Sequence, residues 1–134
     1  MPSSTVIPEL AYPDVGQAIT WLCDAFGFTL RLRIANHRAQ LNVGAGAVVL
    51  TEQLQADAKA PVRSAVMVRV EDVNRHYARA LRNGARVLQP PTDFPYGERQ
   101  YSVLDLAGHS WHFSQSLADV DPVEWGGIPG ELAP

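Results

Sequence analysis

The sequence AITWLCDAFGF, residues 18–28, and the later sequence YGERQYSVLDLAGHSWHFSQ, residues 96–115, decide the fold. In the first, apolar residues recur at helical spacing up to Gly27, a residue type that is common directly after helices. Asp14 precedes them as a candidate N-cap, and Gln17 follows three residues later, as in a capping box. The pattern predicts an amphipathic helix between Asp14 and Gly27.

The second sequence predicts a turn followed by a strand. Residues 110–114 alternate strictly, which places Trp111 and Phe113 on one face of the strand. The other face then carries Ser110, His112 and Ser114. We expect the aromatic face to pack beneath helices and His112 to lie on the opposite side.

The chain repeats this organisation. Asp72 is a second candidate helix N-cap 58 residues after Asp14, and Gly84 ends the second helical pattern as Gly27 ends the first. Strands are predicted at 5–12, 28–34, 38–43 and 47–52, then at 64–70, from 86 to 88 until Pro90 and Pro91 interrupt it, at 99–104 and at 110–114. Both halves are therefore βαβββ modules, at 5–53 and 64–115, joined by a linker at 54–63 and followed by a tail at 116–134. The alternative is a generic α+β domain with two similar helices by coincidence.

Composition restricts the class of protein. The 134 residues, 46% of them hydrophobic, suit one domain spanning 1–134. Eleven Lys and Arg against fourteen Asp and Glu give a charge of −3, which argues against a nucleic-acid partner. A single Cys23 and no signal-like or membrane-spanning apolar run favour a cytoplasmic protein without a membrane partner.

The paired modules, the helix ending in AFGF and the D-x-x-G-H-x-W-x-F hairpin together resemble the vicinal oxygen chelate superfamily. Within it, the chain is most similar to glyoxalase/bleomycin-resistance proteins of the PhnB-like branch. Leu106 stands where that pattern usually has Pro. The resemblance implies an α+β fold in which two tandem βαβββ modules form a half-open β cup with the helices outside.

The resemblance also locates the metal ligands of metal-dependent members. The first-strand positions fall at or near Ile7 and Ala65, neither of which binds metal. The last-strand positions fall on His112 and near Leu50, with Glu52 two residues further on. Since a catalytic ion generally needs about three protein ligands, we expect no metal cofactor. If a divalent metal is present, His112 and Glu52 are the candidate ligands.

Seven residues are candidates for ligand binding: Tyr96, Arg99, Tyr101, Met67, Arg69, His112 and Ser114. An Arg beside phenol rings can recognise an aromatic or anionic ligand, and Met supplies adaptable apolar surface. Five of them have a structural alternative. His112 could bond to a neighbouring strand, Arg99 could form a surface ion pair while Tyr101 fills the core, and Met67 could be core beside a solvated Arg69.

Two functions follow from the resemblance. The first is a protein that binds a small aromatic or hydrophobic molecule, of the drug-sequestration type, as a homodimer. The alternative is an enzyme, either a metal-dependent lyase, isomerase or dioxygenase, or a metal-free catalyst using His112. A dimerisation or regulatory domain is a third possibility, and Trp125 could anchor the tail to the domain or to a partner subunit.

Overall fold

The structure, a computed structural model, describes residues 5–53 and 64–118. The predicted linker at 54–63 lies outside these residues, as do the tail from 119 onward and its Trp125. Within the described ranges, no helix is long and apolar enough to cross a bilayer.

Ten elements follow one another in the order that the repeat predicts. In the first module they are β1 (Glu9–Tyr12), α1 (Val15–Phe26), β2 (Thr29–Ile34), β3 (Arg38–Val43) and β4 (Gly46–Glu52). In the second they are β5 (Ala65–Arg69), α2 (Val73–Arg82), β6 (Arg86–Phe94), β7 (Glu98–Leu104) and β8 (Ser110–Ser116). The two tandem βαβββ modules are thereby confirmed.

Each module forms its own four-stranded mixed sheet. The strand orders are β1-β4-β3-β2 and β5-β8-β7-β6, so the first strand of each module pairs in parallel with the last. The remaining pairs are antiparallel. Helix α1 packs on the first sheet and α2 on the second. Both sheets stay open rather than closing into barrels, as a half-open cup requires.

The predicted helix caps are formed at both N-termini. The Asp14 carboxylate accepts the Gln17 N–H at 3.0 Å, and Asp72 accepts the Arg75 N–H at 3.1 Å. Gly27 ends α1 with a φ of 77°. Helix α2 ends at Arg82 with Asn83 as its C-cap, and Gly84, the predicted closing glycine, follows in the left-handed region.

Two strands differ from the sequence prediction by more than two residues at one end. Strand β1 begins at Glu9 rather than at residue 5, after Pro8, whose missing N–H removes a ladder donor. Strand β6 continues through Pro90 and Pro91 to Phe94 instead of being interrupted there. It tolerates the prolines because it is an edge strand, and its pairing with β7 shifts register across them.

One hydrophobic core joins the modules. The Phe26 ring at the end of α1 lies 5.1 Å from Trp21, and 5.4 Å and 4.8 Å from the Trp111 and Phe113 rings of β8. Trp111 and Phe113 have no exposed surface. Trp21 also donates its indole N–H to the Asn83 carbonyl at 2.9 Å. The second module therefore supplies burial that the first, at its small size, lacks alone.

Candidate functional site

We call the side of each sheet that is turned away from the helices its cup face. On β8, Trp111 and Phe113 point into the core, so His112 and Ser114 lie on the cup face. The parallel register pairs Met67 with His112 and Arg69 with Ser114. Four of the predicted site residues are therefore neighbours on one surface.

A carboxylate that the sequence analysis missed organises this surface. Glu98 accepts the Ser114 hydroxyl at 2.7 Å and faces the Arg69 guanidinium at 3.1 Å. Gln100 donates its amide to the Ser114 oxygen at 3.3 Å. The hydroxyl of Ser114, followed by Arg69, holds the pKa of the Glu98 carboxyl below its usual value. Arg69, Glu98, Gln100 and Ser114 therefore form an ionised, hydrogen-bonded network on the cup face, which we call the polar wall.

His112 is tied to the adjacent strand. Its Nδ1 lies 2.6 Å from the Ser102 hydroxyl oxygen, directly across the β7–β8 ladder. The ring is half-buried and the serine is buried. This is the predicted alternative in which His112 is hydrogen-bonded within the polar lining of the cup.

Arg99 and Tyr101 do not lie on this surface. Strand β7 turns Glu98, Gln100 and Ser102 to the cup face, so the odd-numbered residues point the other way. Tyr101 is fully buried in the core. Arg99 bonds Asp93 of β6 at 2.6 Å and 3.2 Å.

Tyr96 lies in the turn between β6 and β7. Its ring stacks on Phe94 at a centroid distance of 5.3 Å and an interplanar angle of 13°. It therefore belongs to the Asp93–Arg99 end of that hairpin. The structural alternatives given for Arg99 and Tyr101 are the arrangements observed. Arg99 forms an ion pair, and Tyr101 fills the core.

An apolar cleft of about 470 Å³ opens between the two sheets beside Met67. Its walls are Val6, Pro8, the β3–β4 turn with residues 43–48, and residues 66–69 of β5. Met67 is 61% exposed in this cleft, so it is not ordinary core. Arg69 places a charged group at the same wall.

Sequence comparison agrees with this geometry. The family model described as Glyoxalase/Bleomycin resistance protein/Dioxygenase superfamily matches residues 6–113. The chain belongs to this superfamily. No curated protein matches it significantly.

Solved structures of similar proteins extend the comparison. TioX from Micromonospora sp. ML1 is 37% identical, with 86% of this chain and 100% of that chain covered and a TM-score of 0.73. A glyoxalase/bleomycin resistance protein/dioxygenase family enzyme from Burkholderia phytofirmans PsJN is 15% identical, with coverages of 83% and 97% and a TM-score of 0.71. UcmS2 is 16% identical, with coverages of 87% and 100% and a TM-score of 0.68. The last two show the fold alone.

The metal ligands of metal-dependent superfamily members have poor equivalents here. Strand register places Val49, paired with Glu9, where the second module has His112 paired with Met67. Leu50, near which the sequence predicts this position, is buried on the helix side.

Glu52 follows the parity of Leu50 and bonds His37 at 2.8 Å, so it does not share a face with His112. Among residues 5–53 and 64–118, no three His, Cys, Asp or Glu side chains are grouped to hold an ion. The donor set at the cup does not fit a catalytic metal.

Behind the second sheet lies a histidine that sequence reasoning overlooked. His76 of α2 contacts the Phe26 carbonyl through Nε2 at 3.0 Å and the Tyr101 hydroxyl through Nδ1. Its ring centroid is 4.1 Å from that of Phe113. Burial lowers the pKa of His76 to about 4. A neutral ring satisfies both contacts, with Nε2 donating and Nδ1 accepting. Its position three residues after Val73, on the inward helical stripe, was the available signal.

Proposed function

We propose that this chain binds a small aromatic or hydrophobic molecule in the cup without transforming it, as a drug-sequestering protein does. The observation that carries the proposal is the apolar cleft beside Met67, whose side chain is largely exposed. Concave apolar surface with a few fixed polar groups is typical of small-molecule sites. A thioether adapts to the shape of an aromatic partner.

The polar wall supports binding with a fixed orientation. Arg69 and Glu98 hold each other in an ion pair, and Ser114 bonds the same carboxylate. Groups whose hydrogen bonds are already formed provide a pre-organised edge against which a ligand is oriented. The finer assignments stay predictions: the PhnB-like branch, a role in antibiotic resistance and a cytoplasmic location.

Nile red, a neutral aromatic dye whose emission rises in apolar surroundings, tests the proposal. The substitution Met67→Asp places a charge in the cleft and is expected to weaken dye binding by about tenfold or more. Leu88→Asp is the matched control, because Leu88 is 55% exposed on β6, away from the cleft. Equal dye affinity in both variants would contradict the proposed site.

Titration with Zn²⁺, Ni²⁺, Fe²⁺ and Mn²⁺ tests the metal-dependent alternative. Protein purified without chelators is expected to carry no stoichiometric metal and to show no tight binding by calorimetry, because the cup lacks a ligand set. Stoichiometric metal whose binding is lost in His112→Ala would favour a metal-dependent enzyme instead.

A metal-free catalyst is the second candidate, favoured by the 2.6 Å contact between Ser102 and His112. Such a pair is the geometry of a hydroxyl beside a general base. The described residues provide no acidic partner for the ring, since only Ser102 is bonded to it. We therefore expect His112 to serve neither catalysis nor dye binding. The substitution His112→Gln is expected to leave dye affinity within about twofold. Ester turnover lost in that variant would favour the catalyst.

A further inference from the structure

The space between the two modules is closed at one end. There the β7–β8 turn of the second module meets the end of β1, and Tyr12 donates its hydroxyl to Asp105 at 2.6 Å. His109 of the same turn contacts the Ala11 carbonyl at 2.6 Å through Nε2. Tyr12 has no exposed surface. A phenol ring and an imidazole ring fill this end.

The repeat predicts the same closure at the opposite end, but the residues there are smaller. The 58-residue offset places Val70 where the first module has Tyr12. The connection between β3 and β4 consists of residues 44–45, whereas residues 105–109 connect β7 and β8. The shorter turn and the smaller side chain leave a cleft of about 670 Å³ between the modules.

The floor of this cleft is aromatic. Phe26, Phe28 and His76 line it together with Val43 and Val70. The nitrogen atoms of His76 are occupied by Phe26 and Tyr101, so its ring offers the cleft carbon surface rather than a free hydrogen-bonding group. Such a lining suits a flat ring system.

The cleft itself is lined by one cation, Arg69, and one carboxylate, Glu71, and a neighbouring cleft that shares Val70, Glu71 and His76 with it carries more arginines. His76 also lines an adjoining cleft of about 430 Å³, whose walls include Arg75, Arg79 and Arg82 of α2. The Arg79 guanidinium is engaged by the Asp24 carbonyl at 2.8 Å. No hydrogen bond or ion pair joins the guanidinium groups of Arg75 and Arg82 to any residue in 5–53 or 64–118.

Three arginines at positions i, i+4 and i+7 share one side of a helix, where like charges repel. Glu71 and Asp72 also line this cleft, but the cap bond to the Arg75 N–H occupies one oxygen of Asp72. An anionic group between Arg75 and the aromatic floor would relieve the repulsion through charge-assisted hydrogen bonds.

We propose that this inter-module cleft is a second binding site, which takes a planar aromatic carboxylate. The rings lie against Phe26, Phe28 and His76, and the carboxylate extends past His76 toward Arg75 in the adjoining cleft. The site goes beyond the function proposed for the cup. Its lining shares Val43, Gly44, Val68 and Arg69 with the cleft beside Met67, but not Met67 itself. The cleft is open because Val70 is smaller than Tyr12, which occupies the equivalent position in the first module.

2-Naphthoate is the probe, with 2-naphthamide as its uncharged analogue. Trp21 and Trp111 both contact Phe26, so tryptophan emission reports on the cleft floor, and calorimetry gives the affinity. Arg75→Gln is expected to weaken naphthoate binding about fivefold and to leave naphthamide binding unchanged. Arg86→Gln, on β6, is the matched control and is expected to change neither. Equal naphthoate affinity in the two variants would overturn the proposal.

A second variant restores the symmetry. Val70→Tyr places at the open end the ring type that Tyr12 supplies at the closed end, and it is expected to abolish naphthoate binding. Naphthoate-induced amide shifts in the unmodified protein provide a readout that needs no variant. They are expected at residues 26–28, 43–44 and 70–76, and shifts confined to other residues would overturn the proposal. Met67→Asp, which tests the cup, is expected to retain naphthoate binding, so the two sites fail independently.

Discussion

At the scale of single residues, His76 links stability to pH. Burial lowers its pKa in the folded protein to about 4, from an ordinary value near 6.5. Between these values the unfolded chain binds a proton that the folded protein does not. The contribution of His76 is therefore complete above about pH 6.5 and is lost as the pH falls toward 4.

The expected loss is about 2 kcal/mol, since partial solvent access reduces the full effect of the pKa difference. Urea unfolding at about pH 7 and about pH 4.5 measures it. His76→Gln is expected to flatten this dependence, and His37→Gln, at an exposed histidine, is expected to preserve it. A dependence as steep in His76→Gln as in the unmodified protein would show that another group titrates.

Asp105 connects the two modules through its carboxylate. Its Oδ2 accepts the Tyr12 hydroxyl at 2.6 Å and the Trp111 indole N–H at 3.0 Å, and its Oδ1 accepts the backbone N–H groups of Ala107 and His109 at 3.0 Å each. The carboxylate is buried, so these bonds replace the water it has lost. It links β1 of the first module to the hairpin of the second.

Asp105→Asn is expected to destabilise the protein by about 2 to 4 kcal/mol, because an amide cannot accept from every donor on both sides. Tyr12→Phe is expected to cost about 1 to 2 kcal/mol. Chemical unfolding of the two variants and of the double variant gives their coupling. Tyr77→Phe is the control, since no described residue bonds the Tyr77 hydroxyl, and strictly additive effects of Tyr12→Phe and Asp105→Asn would refute the linkage.

At the scale of elements, the local sequence predicts those features, such as helix starts and strand faces, that interactions between nearby residues determine. The Asp14 and Asp72 caps bond within the next three residues, so both helix starts are visible in the sequence. Alternation along β8 places His112 and Ser114 correctly for the same reason. Asp105 bonds Tyr12, which lies 93 residues away, and no local sequence pattern predicts this contact.

The orientation of Arg99 and Tyr101 has a similar origin. Which residues of β7 face the cup depends on its register with β8, which pairs Ser102 with His112. The sequence of β7 alternates in polarity only weakly, because Arg99, Gln100 and Ser102 are all polar. Register is a property of the assembled sheet, and here it turns Arg99 and Tyr101 away from the cup.

The prolines of strand β6 give a prediction about aggregation at this edge. It is an edge strand, and Pro90 and Pro91 remove two backbone donors from it, which discourages pairing with another chain. Replacing both prolines with valine is expected to raise the average mass with increasing concentration, as measured by light scattering. Pro95→Ala, in the adjacent turn, is the control. An unchanged mass in the double variant would show that the prolines do not protect this edge.

At the scale of the whole molecule, the edge of the first sheet that β2 forms carries exposed apolar side chains. Within the described part of the chain, strand β2 pairs only with β3. It contains no proline, and Leu30, Leu32 and Ile34 along it are 47%, 47% and 54% exposed. Exposed apolar side chains on an open edge are typical of an interaction surface. We propose that a second copy of this chain covers β2, forming the homodimer expected from the sequence.

Light scattering during size exclusion is expected to give twice the chain mass of 14.6 kDa. The double substitution Leu32→Lys and Ile34→Lys is expected to yield monomers, because it places two charges in the buried contact. Leu88→Lys is the control, since Leu88 is 55% exposed on the proline-containing edge and should leave the dimer intact. A monomeric mass for the unmodified protein at every concentration would exclude the homodimer. Dimers of both variants would place the interface elsewhere than on β2. Since the cup cleft is formed within one chain, Nile red binding is expected to survive the loss of the dimer.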